Sequence, residues 1–287
     1  MLKPHAKQAL VGPQGKEYDD CTWIDLKNNI FIIADGLGAH PASEEASRLG
    51  VIAAYTYIKR DADNIRHGAI SEGELLEFVK GAVDHANEVL YTLSEHLEYF
   101  YLQERSKSDK KRAGTTMDVC YIFNNHLYLA HVGDSSVYLL RDRRLTRLTS
   151  APPVDEGKEK LKAILGESPV ESFVGQRQEI NVTGKEVELK DQDVILMATD
   201  GLTKLLFDEE IQEYLEAKGF EESAQQLLNG TYRPNKVPNY IKEKTDKKTF
   251  YDAVEDIVLK DSISIITIKL EEDEKSGEDE KNGKSAT

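Results

Sequence analysis

The sequence predicts an α+β fold in which largely antiparallel sheets are layered with helices. Three features point to it. Short β-branched apolar runs are joined by two-residue turns, as in Thr116–Phe123, Asn124-Asn125, His126–Val132. Long amphipathic stretches stand in blocks apart from those strands. Strand and helix patterns do not alternate regularly, and no internal repeat is present, which argues against a parallel βαβ sheet.

Taken in chain order, Cys21-Thr22-Trp23-Ile24 reads as a strand. Asn29–Ala34 (Asn-Ile-Phe-Ile-Ile-Ala) is an apolar run expected to be buried on both faces. It ends at Asp35-Gly36-Leu37-Gly38. A helix is expected over Ser43–Ile58, with Ser43 as its cap and Glu44 and Glu45 at the positive end of its dipole. A second runs from Glu72 to about Arg105, where Leu76, Val79, Val83, Ala86, Leu90, Leu93, Leu97 and Phe100 form one apolar face. The basic stretch Lys107–Arg112 breaks the pattern. After the hairpin already named, Ser136–Arg141 and Arg144–Leu148 pair around Asp142-Arg143. A loop opens at Ala151-Pro152-Pro153, Lys158–Leu165 reads as helix, and Glu179–Leu189 as strand. Asp193–Ala198 is another buried strand and ends at Thr199-Asp200-Gly201. Helices follow over about Asp208–Leu228, then a loop over Asn229–Tyr240 and a helix over Phe250–Val258. Ser262–Leu270 alternates as a last strand. These elements make one domain over 1–270, and the charged 271–287, without aromatics, is expected to be a disordered acidic tail.

Composition narrows the function. The 287 residues are 39% hydrophobic and 31% charged, as in ordinary globular proteins, and the formal net charge is -15. Such acidity disfavours nucleic acid and anionic membrane surfaces as partners. The N-terminal segment lacks the apolar run of a signal peptide, and no stretch approaches the ~20 apolar residues of a membrane span. Cys21 and Cys120 match no zinc spacing and fit a reducing, cytoplasmic setting.

The informative residues are aspartates at strand ends: Ala34-Asp35-Gly36, Val132-Gly133-Asp134-Ser135, Thr199-Asp200-Gly201, Asp261-Ser262 before the last strand, and Asp19-Asp20 before the first. Any one of them is a plausible turn residue, because Asp bonds its own backbone and Gly accepts positive φ. As a set they are harder to read that way. If the strand ends converge, the carboxylates face each other, and like charges at close range raise each other's pKa or demand a cation. Oxygen-only ligation selects Mg²⁺, Mn²⁺ or Ca²⁺ over zinc.

These residues carry a resemblance. Asp35-Gly36-Leu37-Gly38-Ala39-His40 with Glu44-Glu45-Ala46-Ser47, Ala113-Gly114-Thr115-Thr116, Ala130–Tyr138 around Gly133-Asp134-Ser135, Arg144–Thr149, Ala198-Thr199-Asp200-Gly201-Leu202-Thr203 and Asp261-Ser262-Ile263-Ser264 resemble, in order, the motifs of PP2C (PPM-type) Ser/Thr phosphatases. The resemblance spans about residues 12 to 270. It implies a four-layer α-β-β-α sandwich of two antiparallel sheets flanked by helices, with two Mn²⁺ or Mg²⁺ ions at one end. Asp35 would bridge them, the Gly36 carbonyl would bind one, Asp200 and Asp261 would complete the other, and Asp20 would bind through water with Asp19 behind it. Asp134 matches a ligand of a third, weaker ion. His40 matches the histidine proposed to protonate the leaving oxygen. The other six histidines read as structural or solvated. The implied partner is a phosphorylated Ser/Thr protein, with a cognate Ser/Thr kinase upstream and the chain acting as a monomer.

The sequence also departs from the family pattern. Gly15 stands where the family has a phosphate-gripping arginine, and the adjacent Lys16 lacks the guanidinium fork. Tyr18 and Ser262 replace asparagines, while Ala39 and Ser43 replace glycines. The segment after Thr149 is short, and the chain between Leu215 and Asp261 is long. Two other functions therefore compete: a catalytically weak relative that binds phosphorylated partners, and a phosphatase of a small phosphorylated metabolite. A Ca²⁺-stabilised structural sandwich is the bland alternative.

Overall fold

The computed structural model describes residues 1–12, 18–38, 40, 42–101, 112–149, 172–217, 219–231 and 261–272, with side chains of the second long helix described to Ser94. The strands are β1 (Leu2–Val11), β2 (Asp20–Asp25), β3 (Ile30–Asp35), β4 (Met117–Phe123), β5 (His126–Val132), β6 (Ser136–Arg141), β7 (Arg144–Arg147), β8 (Thr183–Glu188), β9 (Val194–Ala198) and β10 (Ile263–Glu272). The helices are α1 (Ser43–Arg66), α2 (Leu75–Tyr101), the single turn α3 (Asp200–Thr203), α4 (Asp208–Ala217) and α5 (Ser223–Thr231).

Among the described residues the strands form two five-stranded sheets, in the orders β1-β10-β9-β6-β7 and β2-β3-β4-β5-β8. Every neighbouring pair is antiparallel. The two-residue period of the strands divides their side chains between two cores. In β3, Phe31 and Ile33 face the other sheet, together with Cys120, Leu129, Val137, Met197 and Ile266. Ile30, Ile32 and Ala34 face the opposite way and pack with Ala54, Ile58, Val79 and Val83 of α1 and α2. On the other sheet, Leu196, Ala198, Ile263 and Ile265 pack against Leu202, Ile211 and Leu227 of α3, α4 and α5. Strands sandwiched between a helix layer and a second sheet have two apolar faces, so β3 and β9 read as unbroken apolar runs. The result is the expected order of layers, helix–sheet–sheet–helix.

Both expected hairpins are present. Their turn residues Asn124, Asn125, Asp142 and Arg143 all have positive φ, at 46°, 61°, 49° and 59°, the geometry that matches a two-residue turn to strand twist. Other details differ from expectation. The local pattern does not mark β1. It is an edge strand, and an edge tolerates Pro4 and needs only weak alternation. α1 continues past Ile58 to Arg66 because Ala62 and Ile65 extend its buried row. Ser43 does not cap it. Ala42 holds the cap position at φ 53° without a side-chain bond, and Ser43 is the first helical residue. Leu93 is partly exposed rather than part of the α2 core face. β10 runs two residues past Leu270. The helices expected at Lys158–Leu165 and Phe250–Val258, the Ala151-Pro152-Pro153 loop, Asn229–Tyr240 beyond Thr231 and 273–287 lie outside the described residues. No helix among the described residues is long and apolar enough to cross a membrane.

Candidate metal centre

The sheets bring the strand-end aspartates to one end of the sandwich. Asp20 opens β2 and Asp35 closes β3, and the two are direct cross-strand partners. Asp200 follows β9 at the first position of α3, and Asp261 precedes β10. A methyl group at Gly201 would lie 2.3 Å from the Ser262 carbonyl oxygen, so only glycine lets α3 come this close to the start of β10. Asp134 sits in the β5–β6 turn. Gly133 there takes φ 117°, and a Cβ on it would strike Thr116.

A hydroxyl network fixes the two sheets against each other here. Thr199 Oγ1 donates to Asp20 Oδ2 at 3.0 Å and accepts the Ser264 N–H at 2.9 Å. The Asp19 N–H donates to Ser262 Oγ at 3.3 Å, and Ser43 Oγ donates to Asp19 Oδ1 at 3.0 Å. Tyr18 bonds the Ser264 hydroxyl. Three of the departures noted in the sequence, Tyr18, Ser43 and Ser262, thus act as braces around Asp19 and Asp20. The Gly-Thr-Thr motif holds Asp35. Thr116 Oγ1 accepts the Asp35 N–H at 3.0 Å and pairs with Ser135 Oγ at 2.9 Å, while Thr115 Oγ1 donates to the Asp35 carbonyl at 2.8 Å. Gly114 leaves room for Phe173, whose ring would otherwise be 2.3 Å from a Cβ.

The electrostatics show that these carboxylates share one field. Burial, then the charge of Asp20, Asp200, Asp261 and Asp134, raises the Asp35 carboxyl well above its usual range. Burial pushes Asp20 up to about 7; the hydroxyls of Ser264 and Thr199 oppose the rise, and Asp261 and Asp200 add to it. Asp134 is also pushed to about 7, by burial and Asp200, against Lys204. Asp261 is raised by burial and Asp200 and partly restored by Lys204. Asp20 Oδ1 and Asp200 Oδ1 are buried and have no hydrogen-bond partner among the described residues, an arrangement that costs free energy unless a cation or proton arrives.

The donor set therefore fits a hard divalent cation: five carboxylates, two of them with orphaned oxygens, and oxygen donors throughout. Among the described residues, no three His, Cys, Asp or Glu side chains are closed tightly enough to clasp an ion as they stand. Asp200 and Asp261 instead close on the Lys204 ammonium, at 2.6 and 2.8 Å. Sequence reasoning missed Lys204, since a lysine on a short polar helix reads as solvated.

His40 follows the Asp35-Gly36 turn. Its Nδ1–H donates to the Arg112 carbonyl at 2.6 Å, and its ring meets Phe173 edge-on at 5.2 Å. With Nδ1 held by the backbone, Nε2 is the nitrogen left to exchange a proton. Of the other histidines, His131 is buried in a 2.6 Å pair with Asp118, a structural role. Gly15, Lys16 and Ala39 lie outside the described residues, so the phosphate-binding expectation for Lys16 rests on the sequence.

Comparison with known proteins agrees with this architecture. The family model "Protein phosphatase 2C" matches residues 16–239. The serine/threonine protein phosphatase PstP of Mycobacterium tuberculosis is 31% identical over 208 residues, which are 69% of this chain and 36% of that protein. The chain thus spans little more than a third of that relative's length. Protein phosphatase PhpP of Streptococcus pneumoniae is 26% identical over 193 residues, covering 64% of this chain and 71% of that protein. Among solved structures, M. tuberculosis PstP/Ppp superposes with a TM-score of 0.67 at 23% identity, covering 95% of this chain and all of that one. PppA of Pseudomonas aeruginosa does so with 0.64 at 16% identity, covering 93% and 98%. A second PstP catalytic-domain structure, described as a complex with two manganese ions, gives 0.62 at 22% identity, covering 95% and 100%. A family model matched across most of the described fold, on a sandwich whose sheet ends gather the motif aspartates, makes this chain a member of the protein phosphatase 2C family.

Proposed function

We propose that the chain hydrolyses phosphoserine and phosphothreonine in proteins, with Mn²⁺ or Mg²⁺ held by Asp20, Asp35, the Gly36 carbonyl, Asp200 and Asp261, and a third, weaker ion near Asp134. The observation that carries this reading is the shared field of five strand-end carboxylates, four of them raised toward the protonated form. A cluster that resists ionisation is one that exchanges protons for metal near neutral pH. When bound, such ions supply a hydroxide from water and offset charge on the phosphoryl oxygens.

The chain's own residues do the remaining work. Thr199 and Thr116 hold Asp20 and Asp35 in place from opposite sheets, so that the ligands are positioned before substrate arrives. His40, steered through Nδ1, offers Nε2 to the leaving oxygen as a general acid in its protonated form. Lys16 contributes a point charge for the phosphate, weaker than an arginine fork. The setting in this reading is cytoplasmic, the chain a monomer and the substrate the product of a Ser/Thr kinase. The curated relatives, named as Ser/Thr or protein phosphatases, support the substrate class.

The test is a metal-dependent assay of the purified chain on phosphoserine and phosphothreonine peptides, a phosphometabolite panel and p-nitrophenyl phosphate. Mn²⁺-dependent turnover is expected, strongest on phosphopeptides and removed by chelation. Asp35→Asn is expected to lose nearly all of it with an unchanged far-ultraviolet circular dichroism spectrum. Full activity in that variant, or turnover confined to the small metabolites, would refute the assignment. Tight phosphopeptide binding without turnover would favour the non-catalytic reading instead.

A further inference from the structure

One cation is already built into the carboxylate cluster. Lys204 stands four residues after Asp200, one helical turn on, so the two side chains share a face. Its Nζ lies 2.6 Å from Asp200 Oδ2 and donates to Asp261 Oδ2 at 2.8 Å. Though largely buried, the ammonium is thus paired with two carboxylates at once. The side chain is 21% exposed, so its four-carbon stem has a way out toward solvent.

Resting on the metal-centre reading above, we propose that Lys204 is an internal counter-ion that competes with a divalent ion for Asp200 and Asp261. Both cations draw on the same two carboxylates, so the ammonium's hold on the two Oδ2 atoms and its charge oppose the approach of an ion. The same contact keeps the metal-free protein stable by compensating carboxylates that otherwise repel one another. Lys204 therefore tunes metal affinity. It trades tight binding at one position of the centre for a fold that persists without metal.

The experiment is calorimetric titration of Mn²⁺ into the metal-free full chain, for wild type, Lys204→Met and Lys204→Arg, with thermal melts of each in chelator. Lys204→Met removes the charge and keeps the stem. It is expected to tighten at least one Mn²⁺ binding event about tenfold or more and to lower the melting temperature of the metal-free protein. Lys204→Arg keeps the charge and is expected to bind Mn²⁺ within about threefold of wild type. Should Lys204→Met not fold without metal, Lys204→Gln, which can still donate to Asp261, takes its place with the same expected tightening. Unchanged or weaker Mn²⁺ affinity in the uncharged variant overturns the inference while leaving the metal centre standing. No Mn²⁺ binding by wild type or any variant overturns the metal-centre reading itself, and the inference with it.

Discussion

Asp20→Asn should make the metal-free protein more stable at alkaline pH and leave it no more stable at acid pH. Asp20 is 3% exposed, and its carboxyl rises from an ordinary 3.8 to about 7 in the fold. A carboxyl raised in this way is protonated in the folded state at pH values where the unfolded chain has already ionised it. Its contribution to stability is therefore whole below pH 3.8 and is lost as pH climbs through the window to about 7. A rise of about three units, at 1.36 kcal/mol per unit, is about 4 kcal/mol lost by the wild type above that window. Asparagine has nearly the same shape, can still accept from Thr199 and cannot ionise. Taking the difference below pH 3.8 as the baseline, the variant should gain about 2 kcal/mol by pH 5, where part of the window is already crossed, and about 4 kcal/mol by pH 8. Asp35, Asp134 and Asp261 feel the same charge, so its removal also eases their ionisation. Urea unfolding in chelator at pH 5, 6, 7 and 8 measures this, and the comparison cancels the lowered carboxyls such as Asp25 and Asp61 that slope the other way. A constant stability difference across that range would refute the reasoning, because Asp20 would then ionise alike in both states.

Two further expectations concern geometry and acid catalysis. Gly201→Ala drives a methyl to 2.3 Å from the Ser262 carbonyl; it should cost about 1–3 kcal/mol of stability in urea melts and weaken Mn²⁺ binding by separating Asp200 from Asp261. His40→Ala should lower kcat by about 10²-fold or more on phosphopeptides while calorimetric Mn²⁺ affinity stays at the wild-type value.

Several parts of the fold were legible because local chemistry and tertiary setting agree. Asn124-Asn125 and Asp142-Arg143 adopt positive φ at modest cost and lie between alternating runs, so both hairpins fall within a residue of expectation. The apolar run of β3 signals two buried faces, and the fold supplies a sheet on one and helices on the other. β1 was not legible. Its Lys3, Pro4, His5, Lys7 and Gln8 suit a sheet edge, and its strand character comes from pairing along its whole length with β10, at the far end of the chain, which no local window contains.

The site divides along the same line. Aspartate beside glycine at a strand end is a local signal, and a run of motifs in family order made the set readable. What the sequence could not express is the relation between sheets. Thr199 on one sheet donates to Asp20 on the other, and Ser43 and Ser262, which look like losses when set against the motif, brace Asp19 from two directions. A substitution that removes a glycine's freedom or an asparagine's amide at one position can thus be offset by a hydroxyl bond that only the folded neighbours define. Lys204 is the strongest case. In sequence it is one more surface lysine after Asp-Gly-Leu-Thr, and only the approach of α3 to the start of β10, permitted by Gly201, turns it into a cation shared by Asp200 and Asp261. The affinity of the centre for metal accordingly depends on a residue outside the motif aspartates, through a contact that exists only because a glycine lets two segments touch.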